Sequence, residues 1–252
     1  MRFASLGSGS EGNGLVVEAG ATRVLLDCGF GLAACVARLA RLGLQPADLA
    51  GIVVTHEHAD HIGGVGRMAR RHGLPVWLTA GTRAMAQDLD GATLRVIDSH
   101  AAFAVDGLEI QPFPVPHDAR EPVQFVFGDG ARRLGVLTDL GCVTPHVEAM
   151  LAGVDALVLE CNHDAAMLEN GPYPASLKRR VGGRFGHLEN GQAAALLDTL
   201  KHDRLQCVMA AHVSKKNNTS ALAQGALAGA LGCNADEVRV ACQTTGFDWI
   251  RL

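Results

Sequence analysis

Aromatic residues are scarce in this chain, with two Trp, one Tyr and eight Phe among 252 residues. A protein that reads a single strand by stacking successive bases on a row of rings is therefore not expected. There is no excess of positive charge either: the formal net charge is −4, so binding of a polyanion has to come from a local basic patch. No run is apolar for long enough to make a secretory leader or a membrane span, and the start, Met1-Arg2-Phe3-Ala4-Ser5-Leu6-Gly7, is mixed in character. That absence predicts a cytoplasmic protein with no membrane partner. The seven cysteines are odd in number, include no Cys-x-x-Cys, and lie mostly in apolar runs. They predict reduced, buried thiols and argue against a secreted antibiotic hydrolase. The helical His-Glu-x-x-His pattern of one large class of zinc enzymes is missing as well.

What is present is a histidine-rich segment, Thr55-His56-Glu57-His58-Ala59-Asp60-His61, directly after the apolar run Ile52-Val53-Val54. Unpaired imidazoles and carboxylates at this density beside a buried strand would be costly without a cation. His56 and His58, two apart on an extended exit, converge on one ion; Asp60 and His61 begin the next turn and face a second. Imidazole with carboxylate suits zinc first, then manganese or iron. With 48% hydrophobic and 19% charged residues the chain can bury a substantial core, and one domain over 1–252 is expected.

Five short apolar runs each end in a residue able to bind a metal or a proton: Val24 to Asp27, Ile52 to His56, Gly135 to Asp139, Ala156 to Glu160 and Cys207 to His212. Strand ends with helical returns place such residues along one edge, so the reading is α/β, a four-layer αββα sandwich. A meander over residues 1–27 precedes a helix at Leu32 to Leu42, and further helices are expected at Gly63 to Arg71, Gln192 to Leu200 and Ala221 to Leu231. The loop from Gly7 to Gly14 offers backbone N–H groups to a phosphate, with Asn13 its candidate side chain, although such loops are often only turns. Near Arg184-Phe185-Gly186-His187-Leu188-Glu189-Asn190, His187 precedes a helix whose expected cap is Asn190, so a phosphate oxygen could rest on that N-terminus beside His187. Lys178, Arg179, Arg180 and Arg184 lead into His187, and Lys215 with Lys216 follow His212, flanking site residues with positive charge. His72, His100, His146 and His202 have no matching strand end and read as surface residues.

The His-x-His-x-Asp-His segment is similar to the signature of the metallo-β-lactamase superfamily. Pro116-His117-Asp118, Thr138-Asp139-Leu140 and Ala211-His212-Val213 complete the pattern. The resemblance implies two divalent ions, one on His56, His58 and His117, the other on Asp60, His61 and His212, with Asp139 bridging and Asp27 orienting an imidazole from behind. It implies that a bridging water, deprotonated at neutral pH, is the nucleophile, with Asp60 beside it. Almost the whole chain resembles the WalJ/YycJ group of metallo-β-lactamase-fold hydrolases, through Glu160-Cys161-Asn162-His163-Asp164, Tyr173-Pro174, Gly186-His187-Leu188 and His212-Val213-Ser214-Lys215. That group is described as exonucleases or phosphodiesterases. In the related ribonuclease Z-like enzymes a similar His and Glu donate a proton to the leaving oxygen, which implies that role for His187 paired with Glu160. His163, Arg184, Lys178, Lys215 and Asn13 are the expected substrate contacts, the substrate being a phosphodiester such as a DNA or RNA end. The alternatives are a small cyclic phosphodiester, a thioester as in glyoxalase II, a metal-stabilised interaction protein, and, least favoured, a β-lactam. Glu189 departs from the group, which tends to have Ser there; a carboxylate at that position would repel a phosphate. Oligomeric state is not legible.

Overall fold

Runs that are apolar on nearly every residue start the chain, because these strands are covered on both faces. β1 (Arg2–Gly7), β2 (Gly14–Ala19) and β3 (Thr22–Leu26) form an antiparallel meander with Phe3 opposite Val17 and Val17 opposite Val24. Gly20, at φ 58°, makes the turn between β2 and β3, a conformation glycine adopts without strain. Helix α1 (Leu32–Arg41) follows, burying Cys35 and Leu39, four residues apart on one face. β4 (Gly51–Val53) then pairs parallel with β3, Leu26 opposite Val53. After the histidine segment come α2 (Ala59–Ile62), α3 (Val65–His72), β5 (Val76–Thr79), α4 (Ala80–Met85) and β6 (Leu94–Ile97). Gly73, in left-handed conformation, ends α3.

The computed structural model describes residues 1–252, which divide into two compact units. The first contains Met1–Pro114, Ala119–Arg132 and Cys242–Leu252. Its seven-stranded mixed sheet runs from the C-terminal strand Phe247–Arg251 through β1, β2, β3, β4 and β5 to β6. It also holds the antiparallel run β7 (Phe103–Val105), β8 (Leu108–Pro114) and β9 (Val123–Gly128). Leu6, Leu25, Leu39, Ile52, Met68 and Leu78 pack in its core.

The second unit contains Val115–Asp118 and Arg133–Ala241. Its strands β10 (Arg133–Leu137), β11 (Ala156–Glu160), β12 (Cys207–Ala211) and β13 (Arg239–Val240) are all parallel. Between them run α5 (Pro145–Leu151), α6 (Ala165–Asn170), α7 (Ala175–Val181), α8 (Asn190–Leu200) and α9 (Ser220–Leu231). α8 buries Ala193, Leu196, Leu197 and Leu200, the spacing of one helical face. Because Leu137 lies opposite Leu159 and Glu160 opposite Ala211, the carboxyl ends of β10, β11 and β12 finish level. That register carries Asp139, Glu160 and His212 to one edge.

Three sequence expectations change. The cap of α8 is Glu189, one residue before the expected Asn190, because its carboxylate accepts from Gly191 N (2.8 Å) and Gln192 N (3.3 Å) while Gln192 Oε1 accepts from Glu189 N (3.1 Å). The N–H groups assigned to a phosphate oxygen are thus held by a side chain of the protein. The Gly7 to Gly14 loop is also not a phosphate cradle: Gly7 N donates to Ser5 Oγ, Ser8 N to Cys242 O, Gly9 N to Asn13 Oδ1, Glu11 N to Gln243 Oε1 and Gly12 N to Gly9 O. All seven cysteines are free, but only Cys28, Cys35 and Cys161 are buried, and Cys242 is exposed beside a turn. No helix is long and apolar enough to cross a membrane.

Candidate metal centre

In the first unit the candidate ligands gather because β3 and β4 end side by side. Asp27, at φ 58°, follows β3 in a left-handed conformation that costs a non-glycine residue free energy and recurs at functional sites. Its N–H donates to Val53 O, its Oδ1 accepts from Thr55 N at 2.9 Å, and its Oδ2 takes the Thr55 hydroxyl at 2.9 Å. The same Oδ2 lies 2.8 Å from His61 Nδ1, so the fully buried imidazole is held from behind and its Nε2 points away from the carboxylate. Thr55 Oγ1 also lies 2.9 Å from His56 Nδ1, which leaves His56 Nε2 directed at His58 Nδ1, 3.0 Å off. A zinc ion bound at about 2.0–2.1 Å in tetrahedral geometry sets its nitrogen ligands a little over 3 Å apart, so this pair fits the two ligands of one divalent ion. Asp60, in the first turn of α2, brings Oδ2 to 3.4 Å from His61 Nε2.

Asn13, an expected substrate contact, has its amide beside this cluster. Its Nδ2 lies 3.2 Å from Asp60 Oδ2 and 3.0 Å from His61 Nε2, and its backbone N donates to Asp60 O at 2.7 Å. Gly29 is required beside it, since a Cβ there would stand 1.8 Å from Asp60 O. Sequence reading missed Thr55, whose only signal was a short hydroxyl between two buried strand ends. Thr55→Val keeps the shape but removes the shared hydroxyl. It is expected to cost about 1–3 kcal/mol in urea unfolding and to weaken metal binding by about 10- to 100-fold in a chelator competition. Wild-type values in both would make the hydroxyl idle.

In the second unit Asp139, Glu160, His187 and His212 each present a ligand atom within 4.8 Å of the others'. Asp139 (φ 72°), two residues past the end of β10, and His212 (φ 52°), directly after β12, again sit in left-handed backbone. Glu160 is completely buried: Oε2 accepts from Leu140 N (2.8 Å) and Leu188 N (3.1 Å), and Oε1 lies 2.8 Å from His187 Nδ1 and 3.1 Å from His212 Nδ1. Burial alone would raise its pKa, but the two imidazoles, His187 foremost, pull it down to about 2. Burial likewise works to push His187 down, and the Glu160 carboxylate with Asp139 behind it outweighs that, so the His187 pKa ends above its ordinary value. His187 is the one imidazole of this group that is part exposed. His117 donates from Nδ1 to Gly186 O at 2.9 Å, turning Nε2 towards Asp139 Oδ1 at 3.8 Å, and burial pushes its pKa down. A neutral ring with Nδ1 occupied and Nε2 facing a carboxylate is the form that binds a metal.

The other expected substrate contacts are all in the second unit. His163 is buried, with Nδ1 making no hydrogen bond, and its backbone bridges to Glu189. Lys178 donates from Nζ to Glu169 O, Arg179 and Arg184 are exposed, Lys215 is exposed after β12, and Arg180 is tied to Asp118. A buried amide pair, Asn190 with Asn218, was not anticipated; it joins α8 to the backbone after β11 through Asn218 Nδ2 and Cys161 O.

Residues 22–208 match the family described as the Beta-lactamase superfamily domain. The chain belongs to the metallo-β-lactamase superfamily. It is 36% identical over 230 residues to the exodeoxyribonuclease YycJ of Bacillus anthracis, covering 89% of this chain and 86% of that protein. It is 31% identical over 228 residues to the exodeoxyribonuclease WalJ of Streptococcus pneumoniae, with 88% and 85% covered. Among solved structures, the metallo-β-lactamase-fold protein YhfI from Bacillus subtilis superposes with a TM-score of 0.77 at 16% identity, over 99% of this chain and 98% of that one. Zn(2+)-bound PqqB from Methylobacterium extorquens gives 0.75 at 17% identity, over the full length of both. These two likenesses establish the fold class, α/β and of metallo-β-lactamase type, as the residues implied. Superfamily membership with these relatives makes the chain a metal-dependent hydrolase, and its donor set of imidazole and carboxylate is suited to divalent ions.

Proposed function

We propose that this chain acts over residues 1–252 as a dinuclear phosphodiesterase that attacks nucleic-acid ends. The observation that carries this reading is the contact of part-exposed His187 Nδ1 with buried Glu160 Oε1 at 2.8 Å. A leaving alkoxide needs a proton, and a carboxylate behind Nδ1 orients the ring so that Nε2 can deliver one. A thioester hydrolase has a thiolate leaving group and no such need. The relatives named exodeoxyribonucleases support the nucleic-acid substrate.

In this proposal His56, His58 and His117 would hold one ion and Asp60, His61 and His212 the other, with Asp139 available to both. Zinc is the first choice and manganese or iron the next. When bound, such a pair supplies positive charge for the phosphate oxygens and lowers the pKa of water into the neutral range. Asp27 and Thr55 fix the imidazoles, Asn13 steadies Asp60 by donating its backbone N–H to Asp60 O, and Glu160 holds His187. Lys178, Arg179, Arg184 and Lys215 draw in the phosphates, and His163 meets the substrate beside them. Purified protein tested on end-labelled DNA and RNA, a cyclic ribose phosphate, lactoylglutathione and a chromogenic β-lactam decides among the readings. Turnover of lactoylglutathione with intact labelled strands would overturn this one.

Phosphate contacts release counterions, so oligonucleotide affinity should fall steeply with salt. Lys178→Ala combined with Arg179→Ala is expected to reduce the slope of log K against log salt by about two. An unchanged slope would favour a small cyclic phosphodiester.

A further inference from the structure

A cavity of about 460 Å³ opens in the second unit beside His163. Its polar lining is His163, Glu169, Lys178, Arg179, Glu189 and Gln192. Ala165, Leu168 and Gly182 give it an apolar wall. The volume falls within the roughly 300–1,000 Å³ of clefts that bind small molecules, and an apolar wall with a few converging polar groups is their usual make-up.

His163 is 3% exposed and its Nδ1 has no hydrogen-bond partner, although a buried ring nitrogen ordinarily finds one. The ring is fixed by its backbone: Asn190 N donates to His163 O, Asn162 N donates to Leu188 O, and the strand-like bridge to Glu189 holds the two residues side by side. The buried imidazole held in this way is a fixed part of the cavity wall, its Nε2 lying 3.9 Å from where a Cβ on Gly182 would stand. The charges around it cancel, Lys178 and Arg179 against Glu169 and Glu189, so a bare phosphate gains little and a bare cation gains little. A ligand with an anionic part and a neutral donor part matches both. Carboxylate and amide oxygens of Glu189 and Gln192 accept from exocyclic amino groups of bases, as carboxylates do from cytosine. The apolar wall suits a flat ring, and the two cations suit a phosphate.

We propose that this cavity seats a nucleoside monophosphate unit whose base carries an exocyclic amine, with the phosphate at Lys178 and Arg179. The choice of ligand rests on the nuclease reading above. The unit is either a free mononucleotide or the last nucleotide of a strand; both present the same chemistry. For a strand end, the cavity would fix the terminal residue while His187, in the same unit, serves the scissile bond. Glu189 then has a positive use. It closes the N-terminus of α8 against phosphate and offers its remaining lone pairs to a base, which is how a carboxylate can stand in a nucleotide site.

The test uses the full chain with its metal. Calorimetric titration with deoxycytidine monophosphate, thymidine monophosphate, deoxycytidine and inorganic phosphate should give the strongest binding for the first, by about tenfold over thymidine monophosphate, which lacks the amine. Gly182→Leu places a side chain in the cavity from a residue at φ −85°, where any residue is tolerated, and is expected to abolish that binding. Lys178→Ala with Arg179→Ala should weaken it by about tenfold or more; these residues lie on α7, which buries no side chain, so this variant keeps the test open if Gly182→Leu does not fold. Deoxycytidine monophosphate bound equally by wild type and both variants would overturn the proposal. So would equal affinity for inorganic phosphate. If oligonucleotide KM rises about tenfold in Gly182→Leu with a smaller change in kcat, the occupant is the strand end. If nucleotide binding is lost and oligonucleotide KM stays constant, the occupant is a free mononucleotide. Nucleotide binding that depends on the cavity in a protein that cleaves no nucleic acid would support the site and sink the nuclease reading.

Discussion

His187→Ala is expected to slow cleavage of an oligonucleotide by about 10²- to 10⁴-fold and to slow bis(4-nitrophenyl) phosphate far less, with metal content unchanged. The difference lies in the leaving group. A nucleotide oxygen departs as a basic alkoxide unless it is protonated, whereas nitrophenolate is stable as an anion. His187 is arranged as an acid: Nδ1 is 2.8 Å from Glu160 Oε1 and the ring is part exposed. Although burial opposes it, the Glu160 carboxylate raises the His187 pKa, so the imidazolium persists to higher pH than an ordinary histidine. Oligonucleotide cleavage should therefore fall as pH rises through the His187 value, and this limb should vanish with bis(4-nitrophenyl) phosphate. Glu160→Gln is expected to show the same bias more weakly, along with a loss of about 1–3 kcal/mol in stability, because Leu140 N and Leu188 N both donate to this carboxylate. Equal slowing of both substrates would mean that His187 positions phosphate without donating a proton. Loss of metal or fold would make it structural.

The strand ends were legible because each is an apolar run stopped by a polar residue, and all five are strands, or the exits from strands, in the structure. Register could not be read, yet the level ends of β10, β11 and β12 are what gather Asp139, Glu160 and His212. The helix at Ala175–Val181 left no trace in the apolar pattern since none of its residues is buried. α5 did carry a signal, Thr144 as cap with Pro145 in the first turn, that the apolar pattern overshadowed. The Glu189 cap was misplaced by one residue because Asn is the better cap by preference, and the decisive Gln192 reciprocates only from Glu189. The Gly7 to Gly14 loop reads as an open nest in sequence. Partners 232 residues away, such as Gln243 Oε1 on Glu11 N, fill it, and nothing local announces them. Thr55 and the cavity beside His163 belong to the same class: their meaning lies in contacts across the chain.

His58→Ala should lose activity and metal-dependent stability together. His58 Nδ1 lies 3.0 Å from His56 Nε2, and the side chain is only part buried, so truncation removes a ligand without opening a core cavity. Its backbone carbonyl, which accepts from His61 N and Ile62 N, is untouched and keeps α2 in place. Charge stabilisation by a metal pair is worth several kcal/mol in the transition state, and each 1.4 kcal/mol is tenfold, so activity is expected to fall by about 10³-fold or more. Binding of a metal to the folded chain alone also stabilises the fold, by about 2.7 kcal/mol at a free metal concentration 100 times Kd. In excess zinc the variant should therefore unfold at lower urea than the wild type, by roughly that amount if the ion is lost. Chelator removes the ion from both proteins, and the two unfolding curves should then nearly coincide. A gap that persists in chelator would show that His58 stabilises the loop by its own contacts. Wild-type activity and full metal content in His58→Ala would remove this residue from the centre, and with it the assignment of the first ion.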